Sequence, residues 1–269
     1  MKKSSRNTKQ ENQRPDQKPS VASTAVTPSI VSGWKYYWVV VYVVSVLAVD
    51  TLAVWGIRWP FDWTFFLWGS HRIQDWALRW GAPKGLADLV TSWPFGQVDY
   101  FKLVFWFVVP FVMCLRGMDW GALGVKRWRR IDLYLLGGLA LLGLAAVLVI
   151  PYIPSLRAYY PGQRGMHAVP WAQFPVHLCW VLSWLLGWEF MHRYFLLRRV
   201  SARWPHWGWC LVPIFETAYH LQKAGLEAAA MLVFSIILTR WTLRRNNVLL
   251  PFLAHLIVEI ELILFLLFR

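Results

Sequence analysis

Glu189, Arg193, Glu216, His220, His255 and Glu259 are the residues whose types and spacing suit them to chemistry. They form three pairs, Glu189 with Arg193, Glu216 with His220 and His255 with Glu259, each four residues apart. Residues at that spacing share one face of an α-helix, so each pair points one way. Each pair also lies inside a run apolar enough to cross a membrane. An ionisable side chain at the centre of such a helix costs roughly 2.5–3.5 kcal/mol on insertion scales. Left unpaired, the set would cost on the order of 10 kcal/mol, comparable to the whole stability of a domain. The three helices must therefore turn these faces toward one another or toward a water-filled cavity.

Several hydrolytic designs are absent. The chain has no His-Glu-x-x-His zinc helix, no Gly-x-Ser-x-Gly nucleophile elbow and no pair of intramembrane aspartates. What remains is glutamate with two histidines. Crowded carboxylates in a low dielectric cannot all ionise, which suits one of them to act as a general base toward water. His220 and His255 are then placed to donate hydrogen bonds to the oxyanion that forms. A rival reading of the same atoms is a zinc site with His and Glu ligands and an open water position. The metal-free reading is preferred, with no cofactor.

The elements that position these residues follow from composition. Of 269 residues, 57% are hydrophobic and 16% charged, well below the quarter that is usual in soluble domains. The expected fold is all-α, a multi-span helical membrane protein of about seven transmembrane helices, or eight if the 58–100 region dips into the bilayer. The spans fall at 34–57, 101–115, 133–153, 174–197, 208–222, 224–239 and 248–268. The 20 tryptophans fit membrane-interface belts. Between the first two spans, Ile73, Trp76, Ala77 and Trp80 fall at helical spacing opposite Arg72, Gln74, Asp75 and Arg79, an amphipathic interfacial helix stopped by Gly81 and Pro83. Cys114, Cys179 and Cys210 show no metal or disulfide spacing and read as core residues.

Residues 1–33 are polar and basic and read as a disordered cytoplasmic tail, not a cleavable signal peptide. Residues 34–130 hold the first spans and the Trp-rich segment, and 131–269 form the core that carries the three pairs. The net charge of +14 reflects topology rather than nucleic-acid binding, since much of it sits in the tail and in short loops. With the tail inside, the inner segments carry 18 Lys and Arg against 9 outside. The positive-inside rule then puts the N-terminus in the cytoplasm, in a cell membrane, with the site open to the cytoplasmic side. At about 1.5 Å of rise per residue, the three pairs fall in one slab near the midplane. His192 comes out near the inner boundary as an interfacial side chain, Asp50 as a cap for the site or a partner for an Arg, and Glu227 as a wet residue near the outer end of its span.

Trp188-Glu189 to Arg193, Phe215 to His220 and His255 to Glu259 resemble the three motifs of the CPBP family, which includes type II CAAX prenyl endopeptidases and bacteriocin-processing or immunity proteins. The family pattern runs Glu-Glu-x-x-x-Arg, Phe-x-x-x-His and His-x-x-x-Asn or Asp. The resemblance implies an intramembrane peptidase acting on a membrane-associated or lipid-modified peptide, with lipid and that peptide as its partners. It places Glu189 and Arg193 in the first motif, His220 in the second and His255 in the third. The resemblance also implies a glutamate-activated water with imidazoles holding the oxyanion. Trp188 stands where the first Glu is usual, so Glu189 would have to serve as the base; Phe215 lies one residue further from His220 than the pattern asks, and Glu259 replaces Asn or Asp. Two other functions compete with the peptidase. One is a catalytically silent relative that binds a membrane partner. The other is a proton-coupled transporter, which predicts internal repeats that the chain lacks.

Overall fold

The computed structural model describes residues 36–124, 128–160 and 174–268. The expected tail, Lys126, Arg127, Arg164 and Arg269 lie outside these residues. Every regular element among the described residues is helical. The first is α1, Tyr36–Val54. Two short helices follow, α2 at Ser70–Arg79 and α3 at Lys84–Thr91. Helix α4 covers Tyr100–Gly117 and contains a π-helical turn at Leu103–Val108. Helix α5 is Arg130–Val149, and α6 is the short Pro154–Tyr159. Helix α7 runs unbroken over 174–203, with a π-helical stretch at Phe190–Leu196. Helices α8, Leu211–His220, α9, Gly225–Arg245, and α10, Leu249–Phe268, complete the chain.

Helices α1, α4, α5, α9 and α10 are each long and apolar enough to cross a membrane. These five make the protein an all-helical integral membrane protein. Helix α7 has the length to join them, but its middle carries Glu189, His192 and Arg193. Helix α8 has only ten residues, too few for a full crossing. In the connection after α1, α2 forms where the amphipathic pattern places it, with Ile73, Trp76 and Ala77 half-buried. Its end coincides with Gly81, whose φ of +81° is a left-handed conformation that favours glycine. Trp59, Trp80 and Trp93 around it are 82%, 90% and 64% exposed. Indoles so exposed suit a headgroup layer, where an apolar ring with one polar edge is well solvated.

Helix α7 is the centre of the bundle. Each residue from Gly187 to Leu197 is buried. A helix buried on all sides needs neighbours all round. Val39, Val43, Val46 and Leu47 of α1 and Phe101 and Trp106 of α4 belong to the same apolar cluster as Trp188, Phe195 and Leu197. Helix α4 comes so close that a Cβ on Gly187 would run into the Trp106 side chain and the Phe107 backbone. Small residues permit such approach where van der Waals packing holds helices together.

One end of the bundle is tied by polar contacts between the segments that are rich in arginine. Asp119 accepts from Arg198 and from Asn246, each at 3.1 Å, and its own N–H donates to the Tyr194 hydroxyl. Arg245 reaches Asp132 through Nε at 3.0 Å and Nη2 at 2.8 Å. Asp119 and Asp132 thus draw Arg198, Arg245 and Asn246 together at this end. Burial would raise the pKa of Asp119, but Asn246 and Arg198 outweigh it and hold the carboxyl below its ordinary value. A lowered folded pKa stabilises above the ordinary value of about 4, and that contribution is lost as pH falls through the folded value. Protection of the amides in 118–124, taken relative to the intrinsic exchange rate at each pH, should therefore fall below about pH 4 in the wild type, and Asp119→Asn should remove this response.

Candidate active site

The three pairs converge, but the partners differ from those that spacing suggests. Glu189 Oε1 lies 2.8 Å from His255 Nδ1, which joins α7 to α10. Arg193 forks onto Glu216, Nη1 to Oε1 and Nη2 to Oε2, both at 2.8 Å, which joins α7 to α8. Its Nε is 3.5 Å from Glu189 Oε2, so one guanidinium bridges both carboxylates. Arg193 and Glu216 have no exposed surface, and Glu189 is 1% exposed. The bidentate geometry explains how an arginine is tolerated there, since its planar fork matches a carboxylate. The π-helical turn begins directly after Glu189. Such turns recur at functional sites, and this one places Glu189, His192 and Arg193 all toward the interior.

His220 does not bond the Glu216 side chain. Its Nδ1 lies 2.9 Å from the Glu216 backbone oxygen. A carbonyl oxygen only accepts, so Nδ1 carries the hydrogen and Nε2 keeps its lone pair in the neutral ring. Among the described residues that Nε2 has no hydrogen-bond partner. The same logic holds for His255. The Arg193 guanidinium favours an ionised Glu189, which accepts from Nδ1–H and leaves the lone pair on Nε2. The nearest carboxylate to that Nε2 is Glu259 Oε1, at 3.8 Å, too far for a hydrogen bond. Both neutral imidazoles therefore present lone pairs, and either donates from Nε2 only once protonated. This departs from the expected pair of oxyanion donors.

A lone pair on Nε2 with Nδ1 bound to a carboxylate or carbonyl is also what a zinc ligand needs. Among the described residues no three His, Cys, Asp or Glu side chains converge as an ion would require. Glu189 spends Oε1 on His255 itself, and the arrangement does not fit a zinc ion.

His192 is a correction. Expected at the interface, it has no exposed surface, its Nδ1 lies 2.9 Å from the Trp188 oxygen, and Glu216 Oε1 is 3.6 Å away. Helix α7 continues to Arg203, and His192 lies within its buried stretch. Trp188 fills the space of the missing first glutamate with an indole. Its ring centroid is 5.6 Å from that of His220, 5.1 Å from Tyr219 and 5.3 Å from Trp106. Trp184 and Phe234 flank the His255 ring at 6.1 and 5.7 Å.

Sequence reasoning left the partner of Asp50 open and did not reach Tyr219. The Tyr219 hydroxyl donates to Asp50 Oδ2 at 2.5 Å, and Lys102 Nζ stands 3.8 Å from the same oxygen. The aspartate in the middle of α1 therefore pairs with a lysine and a tyrosine, not with an arginine. Glu227, read as wet, accepts from Lys223 at 2.6 Å and from the Tyr160 hydroxyl at 2.9 Å. Glu259 faces toward this group, and Lys223 and Tyr160 both lie within its electrostatic reach.

Membrane-competent helices around a buried cluster of acids and imidazoles define a polytopic protein with an intramembrane polar centre. Residues 169–260 match the family model of Rce1-like proteins, described as type II CAAX prenyl endopeptidases. The matched stretch contains Glu189, Arg193, Glu216, His220, His255 and Glu259, and the match supports the CPBP resemblance. It supports an intramembrane protease of the CAAX type in general. No curated protein and no solved structure matches the chain.

Proposed function

We propose that the protein is an intramembrane endopeptidase that hydrolyses a peptide bond in a membrane-associated or lipid-modified peptide. The observation that carries this reading is the buried hydrogen bond from His255 to Glu189, at 2.8 Å, inside the family-matched region. It joins a carboxylate to an imidazole whose other nitrogen is unbonded, with His220 presenting a second unbonded nitrogen close by. Water activated at the Glu189–His255 pair attacks the scissile carbonyl. His220 holds that water or, once protonated, the oxyanion, and Arg193 fixes the carboxylates. The test is cleavage of a prenylated C-terminal peptide and its unprenylated counterpart by the purified protein in lipid vesicles. His255→Ala should be at least about a hundredfold slower on either peptide that the wild type cuts.

A second reading has one observation in its favour. The indole of Trp188, 1% exposed, occupies the position at which the family pattern has its first carboxylate. A catalytically silent relative would bind such a peptide and release it intact. The same assay separates the two.

The charge distribution supports a cytoplasmic N-terminus in a cell membrane, with the arginine-tied end of the bundle inside. Single cysteines placed near Arg199 and near Lys84, in a background lacking the native three, should then differ. An impermeant thiol reagent added outside should label the second and spare the first; strong labelling near Arg199 would reverse the orientation.

A further inference from the structure

We infer that His255, through Nε2, takes the proton from the attacking water, and that Glu189 is a positioning residue that acts through His255. This deepens the peptidase reading and rests on it. Three observations lead here. Glu189 is 1% exposed, with Oε1 bonded to His255 and Oε2 enclosed 3.5 Å from Arg193 Nε without a hydrogen bond, so burial keeps both oxygens from meeting water and a peptide together. His255 is 6% exposed, and its Nε2 has only the distant Glu259 near it. The carboxylate fixes the hydrogen on Nδ1 and so aims a lone pair outward. A base oriented by a third group is the arrangement that nucleophile activation requires.

Charge balance points the same way. Arg193 supplies one positive charge between two buried carboxylates, Glu189 and Glu216. With both ionised, one negative charge is left uncompensated in a medium of low dielectric. A proton arriving on His255 neutralises it, whereas one arriving on Glu189 would break the contact that orients the ring. Of the other two imidazoles, His192 has its Nε2 fully enclosed and without a partner, out of reach of water, and His220 has only a backbone carbonyl on Nδ1, with no carboxylate to balance an arriving proton. The charged and titratable groups facing His255 are Glu189 with Arg193 from α7, His220 from α8, Lys223 beyond it, and Glu259 from α10 itself.

The step balances. As the water oxygen bonds to the scissile carbon, one O–H breaks and its proton passes to His255 Nε2, while the carbonyl π pair moves to oxygen. As that pair returns, the C–N bond breaks, and the imidazolium gives its proton to the departing nitrogen. Glu189 neither gains nor loses a proton.

Two measurements decide the point. Nitrogen-15 NMR of histidine-labelled protein in lipid reports the tautomer without substrate. His255 should be Nδ1–H in the wild type; an Nε2–H form overturns the assignment whatever the activity. The second is rescue of kcat/KM. Glu189→Gln should slow cleavage with the protein still folded, and Glu189→Asp, which keeps a carboxylate, should restore part of the rate. His255→Gln should lose about 10²–10⁴ in rate. A His255→Gln protein that stays within tenfold of wild type makes Glu189 the base and overturns the inference. A wild type with the expected tautomer and no cleavage overturns the peptidase reading, and the base with it.

Discussion

Glu189→Gln should lower peptide cleavage by about two to four orders of magnitude, the usual worth of a positioned acid–base group, while the protein still inserts and folds. The substitution keeps size and one carbonyl acceptor, so the hydrogen bond from His255 can persist. What it removes is the negative charge. That charge selects the His255 tautomer, stabilises the imidazolium and completes the pairing with Arg193. The loss should appear in kcat rather than KM, since Glu189 is buried and has no surface with which to hold substrate. Glu259→Gln should be far milder. Its carboxylate is 17% exposed and 3.8 Å from His255 Nε2, near enough to tune the ring but not to orient it.

Arg193→Leu should be the most destabilising single change. It leaves Glu216 wholly buried with its bidentate partner gone, and Glu189 without its cation. Breaking a buried pair from one side typically costs 3–5 kcal/mol, because the surviving charge stays uncompensated. Unfolding of detergent-solubilised protein should show this as a large fall in midpoint. The double variant Arg193→Leu, Glu216→Leu should recover much of it, since replacing both partners by apolar groups is often close to neutral. An Arg193→Leu protein as stable as wild type would contradict the assigned pairing.

The sequence made the helices and the three motifs legible, because a hydrocarbon solvent forces long apolar runs and makes every charge within them conspicuous. The partner of each charge was less legible. Spacing of four residues says that Glu216 and His220 share a face, but the Glu216 side chain turns to Arg193, and His220 bonds only its backbone oxygen. Helical spacing fixes direction; which neighbour waits there depends on packing between helices. His192 is buried for a related reason, since the helices packed round α7, and not distance along it, enclose the ring. Arginines can be drawn inward by partners, as Asp119 holds Arg198 and the Phe195 oxygen holds Arg199. The bond from Tyr219 to Asp50 joins residues 169 positions apart and has no local pattern to announce it.

Hydrolysis within the membrane would leave an isotopic signature. Wild-type protein in lipid vesicles is given a membrane-anchored peptide in water enriched in oxygen-18, and the products are weighed by mass spectrometry. Two fragments should form, with one heavy oxygen in the new carboxyl group and none elsewhere, and both should be lost in Glu189→Gln and His255→Gln. A prenylated or membrane-anchored peptide that binds the protein and is recovered whole would contradict it.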